Sequence, residues 1–161
     1  QPTNQPTNQP TNQPTNQRMR DHPYGSRWYQ WPLGEKAVGY WRRGDRDIAL
    51  QPNLMIWWAG SISMLLLVAA FVMRPGNWRD PLLWIMICGF TINWLPFAFI
   101  ERVMFLHSYF VALLFSLLAL GWLINTEPWL KKHYGWLLIP ALLGYLWMAE
   151  LTYGLPPALL I

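Results

Sequence analysis

LMIWWAGSISMLLLVAAFVM occupies Leu54–Met73, and these twenty residues pass without a charge. At helical rise they extend about 30 Å, the thickness of a bilayer's hydrocarbon core. Asn53 stands immediately before the run, where its side-chain oxygen can cap a helix. Three more stretches qualify on the same terms: PLLWIMICGFTINWLPFAFI over residues 81–100, VMFLHSYFVALLFSLLALGWLI over 103–124 and WLLIPALLGYLWMAELTYGL over 136–155. A soluble bundle needs a polar face on each helix, and these stretches lack one. The intervening loops are short: residues 74–80, residues 101–102 and residues 125–135. Short loops make sequential helices antiparallel neighbours. The expected fold is therefore an all-α membrane protein of four antiparallel transmembrane helices over residues 54–155. Pro96 and Pro140 fall near span ends, where a kink is tolerated.

Charge divides the chain in the same way. Residues 1–53 hold 11 of the 20 charged residues, and the apolar remainder holds 9. The net charge of +4 is spread over loops, with no basic stripe, so nucleic acid is not an expected partner. Of the twelve tryptophans, Trp57, Trp58, Trp78, Trp122, Trp129 and Trp136 lie at or near span ends. Indole rings favour the headgroup layer there. Cys88 is the single cysteine, so no intrachain disulfide can form. No basic n-region precedes an apolar stretch at the start, so a signal peptide is not expected there.

Ahead of the first span lies a surface segment, residues 18–53. KAVGYW and DIAL are β-prone runs around RRGDR, which predicts a short hairpin. Trp28, Tyr29, Trp31, Tyr40 and Trp41 alternate there with Arg27, Lys36, Arg42 and Arg43. Such a segment is too short for a core of its own and is expected on the membrane surface or against the loops. Residues 1–17, QPTNQPTNQPTNQPTNQ, carry no apolar side chain and a proline every fourth position. That composition predicts a disordered, partly polyproline-like tract. Gln, Pro, Thr and Asn are also what CAA-CCA-ACC-AAC encodes, a tandem CAAC array. A four-base unit is not a multiple of three, so gain or loss of one unit shifts the reading frame. The repeat is thus expected to be a slippage-prone expression switch, or else an ordinary low-complexity linker. Sequencing the gene decides, because mixed codons that break the array remove the switch.

Four antiparallel spans bring the ends of spans two and four, the start of span three and the surface segment to one side. Glu101, Arg102, His107, Tyr109 and Glu150 are all expected toward that face. Ionisable groups at membrane depth mark functional or pairing sites. Arg102 suits a phosphate as a bidentate donor, and Glu150 is placed to pair with Arg102 or to orient His107. The alternative is that all of them are hydrated at the interface. No metal motif, P-loop or paired-carboxylate pattern occurs, so no catalytic residue, metal or cofactor is assigned; His22 and His133 are isolated loop residues. Charge does not orient the bundle. Lys36, Arg42, Arg43, Arg46 and Arg102 stand on one side, against Arg74, Arg79, Lys131 and Lys132 on the other.

Two groups of motifs resemble the carboxy-terminal four-helix region of the protein O-mannosyltransferases. The first comprises Ser26, Trp28, Trp31, Pro32, Leu33, Tyr40, Trp41, Asn53, Trp57 and Trp58. The second comprises Trp94, Leu95, Pro96, Arg102, Met104, Phe105, Tyr109, Ala112 and Leu113. The resemblance covers about residues 26–155. It implies a multi-pass membrane glycosyltransferase that moves mannose from a polyprenyl-phosphate carrier to Ser or Thr of proteins. It also implies an extracytoplasmic surface segment, and Arg102 with Tyr109, His107 and Glu150 as lipid-phosphate or structural contacts. The expected partners are the lipid-linked sugar, an acceptor protein, membrane lipid and an amino-terminal half of the enzyme. That half carries the family's catalytic acidic loop, which has no counterpart in this chain. Val111 stands where many members have proline, and His107 is offset by one residue from a histidine of some members. The expected membrane is a bacterial inner membrane rather than the endoplasmic reticulum. The alternative function is a non-enzymatic membrane scaffold or lipid-binding protein.

Overall fold

The structure is a computed structural model that describes residues 25–43 and 46–153, apart from the side chains of residues 42, 43, 46, 47, 150 and 151. The QPTN repeat lies outside the described residues, as do the tip of the hairpin at Gly44 and Asp45 and the end of the fourth expected span at Leu155. The surface segment begins with a 3-10 helix, Trp28–Leu33. Two strands follow, β1 (Val38–Arg43) and β2 (Arg46–Leu50). The bundle consists of α1 (Leu54–Met73), α2 (Pro81–Trp94), α3 (Phe110–Thr126), α4 (Pro128–His133) and α5 (Gly135–Tyr153).

The hairpin forms as its β-prone runs predict. The strands pair antiparallel, with Val38 opposite Leu50 and Trp41 opposite Ile48. The register slips between Gly39 and Trp41, so Tyr40 is an extra residue bulged outward. The pair has Val38 in the core, and β2 packs against α5. Gly34 ends the 3-10 helix in the left-handed region at φ 68°. A Cβ there would also meet Leu54 Cδ2 at 2.9 Å and Pro52 Cγ at 3.0 Å, so both backbone and space call for glycine.

α1 begins where its sequence predicts, and Asn53 Oδ1 accepts from the Ile56 amide at 3.5 Å. The second expected span stops being α-helical at Trp94. Pro96 has no amide proton and crowds the residue before it, so Leu95–Phe99 tightens into a 3-10 turn. The third begins later than expected. Residues 103–105 are largely extended, Leu106–Tyr109 is a 3-10 turn, and α3 proper starts at Phe110. The loop expected over residues 125–135 instead contains α4, which opens on Pro128 in the first turn, where proline's missing donor costs nothing. By length and composition Leu54–Met73, Pro81–Phe99 and Leu106–Thr126 can each cross a membrane, and Gly135–Ala149 is a shorter apolar stretch. The chain is an all-α membrane protein of four principal helices, with the small hairpin at one end.

α3 is central and packs on both α1 and α2, while α5 lies outside, against α1 and β2. Small residues let the backbones approach: a Cβ at Gly60 of α1 would lie 3.3 Å from Ser116 Cβ of α3, and Ser63, Ala112 and Ala119 are buried in the same two helices. At Gly89 of α2 a Cβ would fall 2.3 Å from the Phe115 ring, so only glycine lets that ring lie against α2. Hydroxyls within the bundle bond back to their own helices, Ser63 Oγ to Ala59 O at 2.7 Å and Ser116 Oγ to Ala112 O at 3.3 Å. One apolar cluster, with Met64, Leu67, Leu83, Met86 and Ala119, lies inside the bundle. A second, with Trp31, Trp57, Met104, Leu106, Tyr109 and Ala112, joins the bundle to the surface segment.

Candidate functional site

The Trp-Pro-Leu turn is built into the bundle by its own carbonyl groups. A 3-10 helix of six residues leaves most of its C=O groups without strong internal partners. Here four of them accept from the membrane helices. Trp94 Nε1 donates to Trp28 O at 3.0 Å, and Trp57 Nε1 donates to Trp31 O. Ser61 Oγ donates to Pro32 O at 3.0 Å, and Trp58 Nε1 to Leu33 O at 2.9 Å. Trp31, fully buried, sends its own indole proton to Ser26 Oγ at 2.8 Å. Ring contacts reinforce the seam: Trp28 with Trp94 at 4.9 Å, Trp31 with Phe97 at 5.0 Å and Trp57 with Tyr109 at 5.7 Å. The motif residues Trp31, Pro32, Trp57 and Trp58 thus form one contact unit. Trp57 is only 5% exposed, which corrects its reading as a headgroup anchor. Its indole proton serves a carbonyl instead of water. Asn53 adds a second duty to its cap, because its Nδ2 donates to Ala141 O of α5 at 2.7 Å.

Above this seam lies a cleft of about 760 Å³. One wall is residues 25–30 and the other is residues 100–104, with Lys36 and Ala98 at the edges. The two walls are stitched by an isolated antiparallel bridge, Ser26 N–H to Met104 O at 2.9 Å. Arg27, Lys36 and Arg102 line the cleft, opposed by one carboxylate, Glu101. Lys36 Nζ donates to Gly25 O at 2.9 Å. Arg27 Nη1 donates to Tyr29 Oη at 3.1 Å. Among the described residues no ion pair neutralises the three cations.

The structure divides the residues expected on one face. Arg102 and Glu101 reach the cleft. Tyr109 does not: it is fully buried below, in the aromatic cluster, and its hydroxyl makes no hydrogen bond among the described residues. The neighbouring hydroxyls of Ser61 and Ser116 donate to Pro32 O and Ala112 O. His107 is exposed and stacks on Phe105 at 5.7 Å, outside the cleft lining. Glu150 is in α5, but its side chain lies outside the described residues. Pro96 starts the turn whose Ala98 edges the cleft. Arg27 and Lys36 were visible in the sequence as cations among aromatics, but nothing in the spacing joins them to Arg102, more than sixty residues away.

A helical bundle of this kind, with an aromatic-tied surface turn, is a multi-pass membrane protein. The chain belongs to the protein O-mannosyltransferases: the family model described as the C-terminal four-transmembrane region of protein-O-mannosyltransferase matches residues 7–159. It is similar to protein O-mannosyltransferase 1 of Drosophila pseudoobscura pseudoobscura, 27% identical over 132 residues, covering 72% of this chain and 14% of that protein. Human protein O-mannosyl-transferase 1 is 31% identical over 116 residues, covering 62% and 16%. The chain thus spans about one seventh of the length of these curated relatives. In fold it is similar to the Saccharomyces cerevisiae protein O-mannosyltransferase Pmt1-Pmt2 complex bound to the sugar donor. The TM-score is 0.71 at 21% identity, covering 88% of this chain and 22% of that one.

Proposed function

We propose that this chain is the carboxy-terminal membrane region of a glycosyltransferase that carries mannose from a polyprenyl-phosphate carrier to Ser or Thr hydroxyls of proteins. The observation that carries this reading is the family match over residues 7–159, together with a four-helix fold that ties the matching Trp-Pro-Leu and Trp-Trp motifs to each other. The transfer chemistry needs a carboxylate to take the hydroxyl proton during attack on the sugar carbon. No described residue has that role, so the chain works with an amino-terminal part that holds the acidic loop. The surface segment and the 101–102 loop face the extracytoplasmic side. Of the residues expected to touch lipid phosphate, Arg102 is the one exposed in a cleft, while Tyr109 is a packing residue. His107 is left as an exposed residue outside the cleft lining. The relatives described above are from fly and human, and they lend no support to a bacterial inner membrane over the endoplasmic reticulum.

The test is reconstitution of the chain alone, and together with an amino-terminal region bearing the family's acidic loop. Mannose transfer from polyprenyl-phosphate-mannose to a Ser/Thr peptide is then assayed. Transfer is expected only from the pair. Transfer by the chain alone would overturn its catalytic incompleteness. An inactive pair, beside an active full-length relative, would overturn the assignment itself.

A further inference from the structure

We propose that the corner where α3 passes into α4 and α5 is a binding site for the headgroup of an anionic membrane phospholipid. Lys131 and Lys132 are its cations, and the Trp129 and Trp136 indoles are its neutral donors. The ligand is a lipid of the surrounding bilayer, not a substrate. The proposal rests on the mannosyltransferase reading only for the leaflet that the corner faces.

Topology places the corner at the opposite end of the bundle from the cleft. α1 starts beside the surface segment and ends at Met73. α3 runs alongside it in the same direction, with Phe110 against Trp57, Ser116 against Gly60 and Ala119 in the cluster of Met64 and Leu67. The end of α3 at Thr126 therefore lies with the last turn of α1 and the start of α2. Two corners meet the membrane surface there. One is residues 74–80, between α1 and α2, and the other is residues 127–136, which hold α4 and open α5.

The two corners differ in what they leave free. The first is closed by its own bonds. Trp78 Nε1 donates to Phe71 O at 2.8 Å, Trp84 Nε1 to Trp78 O at 2.9 Å and Asn77 Nδ2 to Ala70 O at 3.1 Å. Arg79 also has Asp80 next to it in the chain. The second corner is open. Trp129 and Trp136 are 69% and 72% exposed, and neither indole N–H has a partner among the described residues. Lys131 and Lys132 are exposed, and among the described residues no ion pair neutralises either. Glu127, the nearest acid in the chain, stands one helical turn before Lys131. It serves that residue only through its backbone, accepting from the Lys131 amide at 3.0 Å.

Two adjacent ammonium groups without a counter-ion attract an anion. At a membrane boundary a lysine lays its stem on apolar surface and sends its head to the phosphate level. Indole rings favour that same level, where a free N–H meets lipid ester and phosphate oxygens. A zwitterionic headgroup offers a phosphate too, but it brings an ammonium that the two lysines repel. His133 braces the corner: its Nδ1 donates to Trp129 O at 2.9 Å, and its ring lies 5.0 Å from the Trp129 ring. The indole is thus set before a lipid arrives, which lowers the ordering cost of binding. Leu138, Ile139 and Leu142 are exposed along the start of α5 and give acyl chains an apolar surface. A soluble anion makes no use of that surface. With the surface segment extracytoplasmic, this corner faces the cytoplasmic leaflet, where anionic lipids gather.

The experiment reconstitutes the full chain in phosphatidylcholine bilayers with a trace of spin-labelled phosphatidylserine or spin-labelled phosphatidylcholine. The motionally restricted fraction of each label gives the protein's preference between them. A preference of roughly several-fold for phosphatidylserine is expected, the scale of two lysines at a membrane surface. K131Q/K132Q is expected to remove the larger part of it. R74Q/R79Q at the closed corner and R27Q/K36Q/R102Q at the cleft are each expected to remove less. E127Q is expected to raise the preference, an effect that damage to the fold does not produce. The proposal is overturned if K131Q/K132Q keeps the native preference, if either other variant removes as much, if phosphatidylcholine retention falls in parallel, or if E127Q fails to raise it. Unlabelled phosphatidylserine, inorganic phosphate and polyprenyl monophosphate serve as competitors. Release of the labelled lipid by either of the last two as strong as by phosphatidylserine overturns a bilayer phospholipid as the ligand. No sugar transfer is read, so failure here is distinct from failure of the transferase assignment.

Discussion

At the scale of single residues, Trp57 and Trp58 sit side by side yet differ in depth. Trp57 donates to Trp31 O from a buried position, and Trp58 donates to Leu33 O from an exposed one. Removing a buried donor leaves a carbonyl short of a partner, whereas water replaces an exposed one. Trp57→Phe is expected to cost about 1–2 kcal/mol, softened because the Gly34 amide also reaches Trp31 O at 3.1 Å. Trp58→Phe is expected to cost less than half as much. Thermal unfolding of both variants in one detergent measures the contrast, and equal losses would contradict it. Tyr109→Phe removes a buried hydroxyl that lacks a well-formed hydrogen bond but has Ser61 and Ser116 beside it, and is expected to change stability by less than about 1 kcal/mol. The same variant is expected to leave polyprenyl-phosphate binding unchanged; a clear fall would return Tyr109 to the phosphate-contacting set. The sequence placed Trp57 in the first turn of a helix, where the structure has it. It did not reveal which carbonyl the indole serves, because a hydrogen bond spanning 26 residues leaves no mark on local pattern.

At the scale of elements, the close approach of α2 and α3 hangs on Gly89. Gly89→Ala forces a methyl into the Phe115 ring, and overpacking of this kind costs about 1–3 kcal/mol. Phe115→Leu is expected to recover part of the loss in the double variant, which a cycle of unfolding measurements detects. The outer helix α5 is tied differently. Asn53→Ala removes both a cap acceptor and the donor to Ala141 O. The loss of the cap alone is about 1 kcal/mol. Faster hydrogen exchange in α5 than in α2 is the expected sign that the tether, and not only the cap, has gone. Element positions were largely legible, since four apolar runs of bilayer length, three of them without Asp, Glu, Lys or Arg and the fourth with Glu150 alone, have few other uses. The α1 boundaries follow from Asn53 and the charge at Arg74 that ends the run. The loss of α-helix at Trp94 was less legible. Pro96 announced a disturbance, but not that the tightened turn would set Phe97 against Trp31.

At the scale of the whole molecule, the surface segment is more closely joined to the membrane than its composition suggests. Its hairpin was readable from β-prone runs around a turn. Its place on the membrane surface or against the loops was expected, but the particular anchoring was not legible, because the bonds that make it join residues far apart in the chain. What holds it is a set of donors from α1 and α2 acting on one short turn. The cleft combines residues 25–36 with residues 98–104, so no motif in either stretch describes it alone. Family membership was readable because several motifs recur in order over most of the chain.

The turn at Trp28–Leu33 is gripped from two helices at once, by Trp57, Trp58 and Ser61 on α1 and by Trp94 on α2. A mismatch between span length and bilayer thickness is relieved by tilting helices. If α1 and α2 tilt by different amounts, this turn is strained, and the cleft wall it carries is displaced against residues 100–104. The separation of residues 25–30 from residues 100–104 is therefore expected to vary with the thickness of the membrane. In nanodiscs made from lipids of increasing acyl length, hydrogen exchange of the Ser26 amide, which bonds Met104 O across the cleft, is expected to pass through a minimum. Trp58→Phe, which loosens the α1 grip, is expected to broaden that minimum.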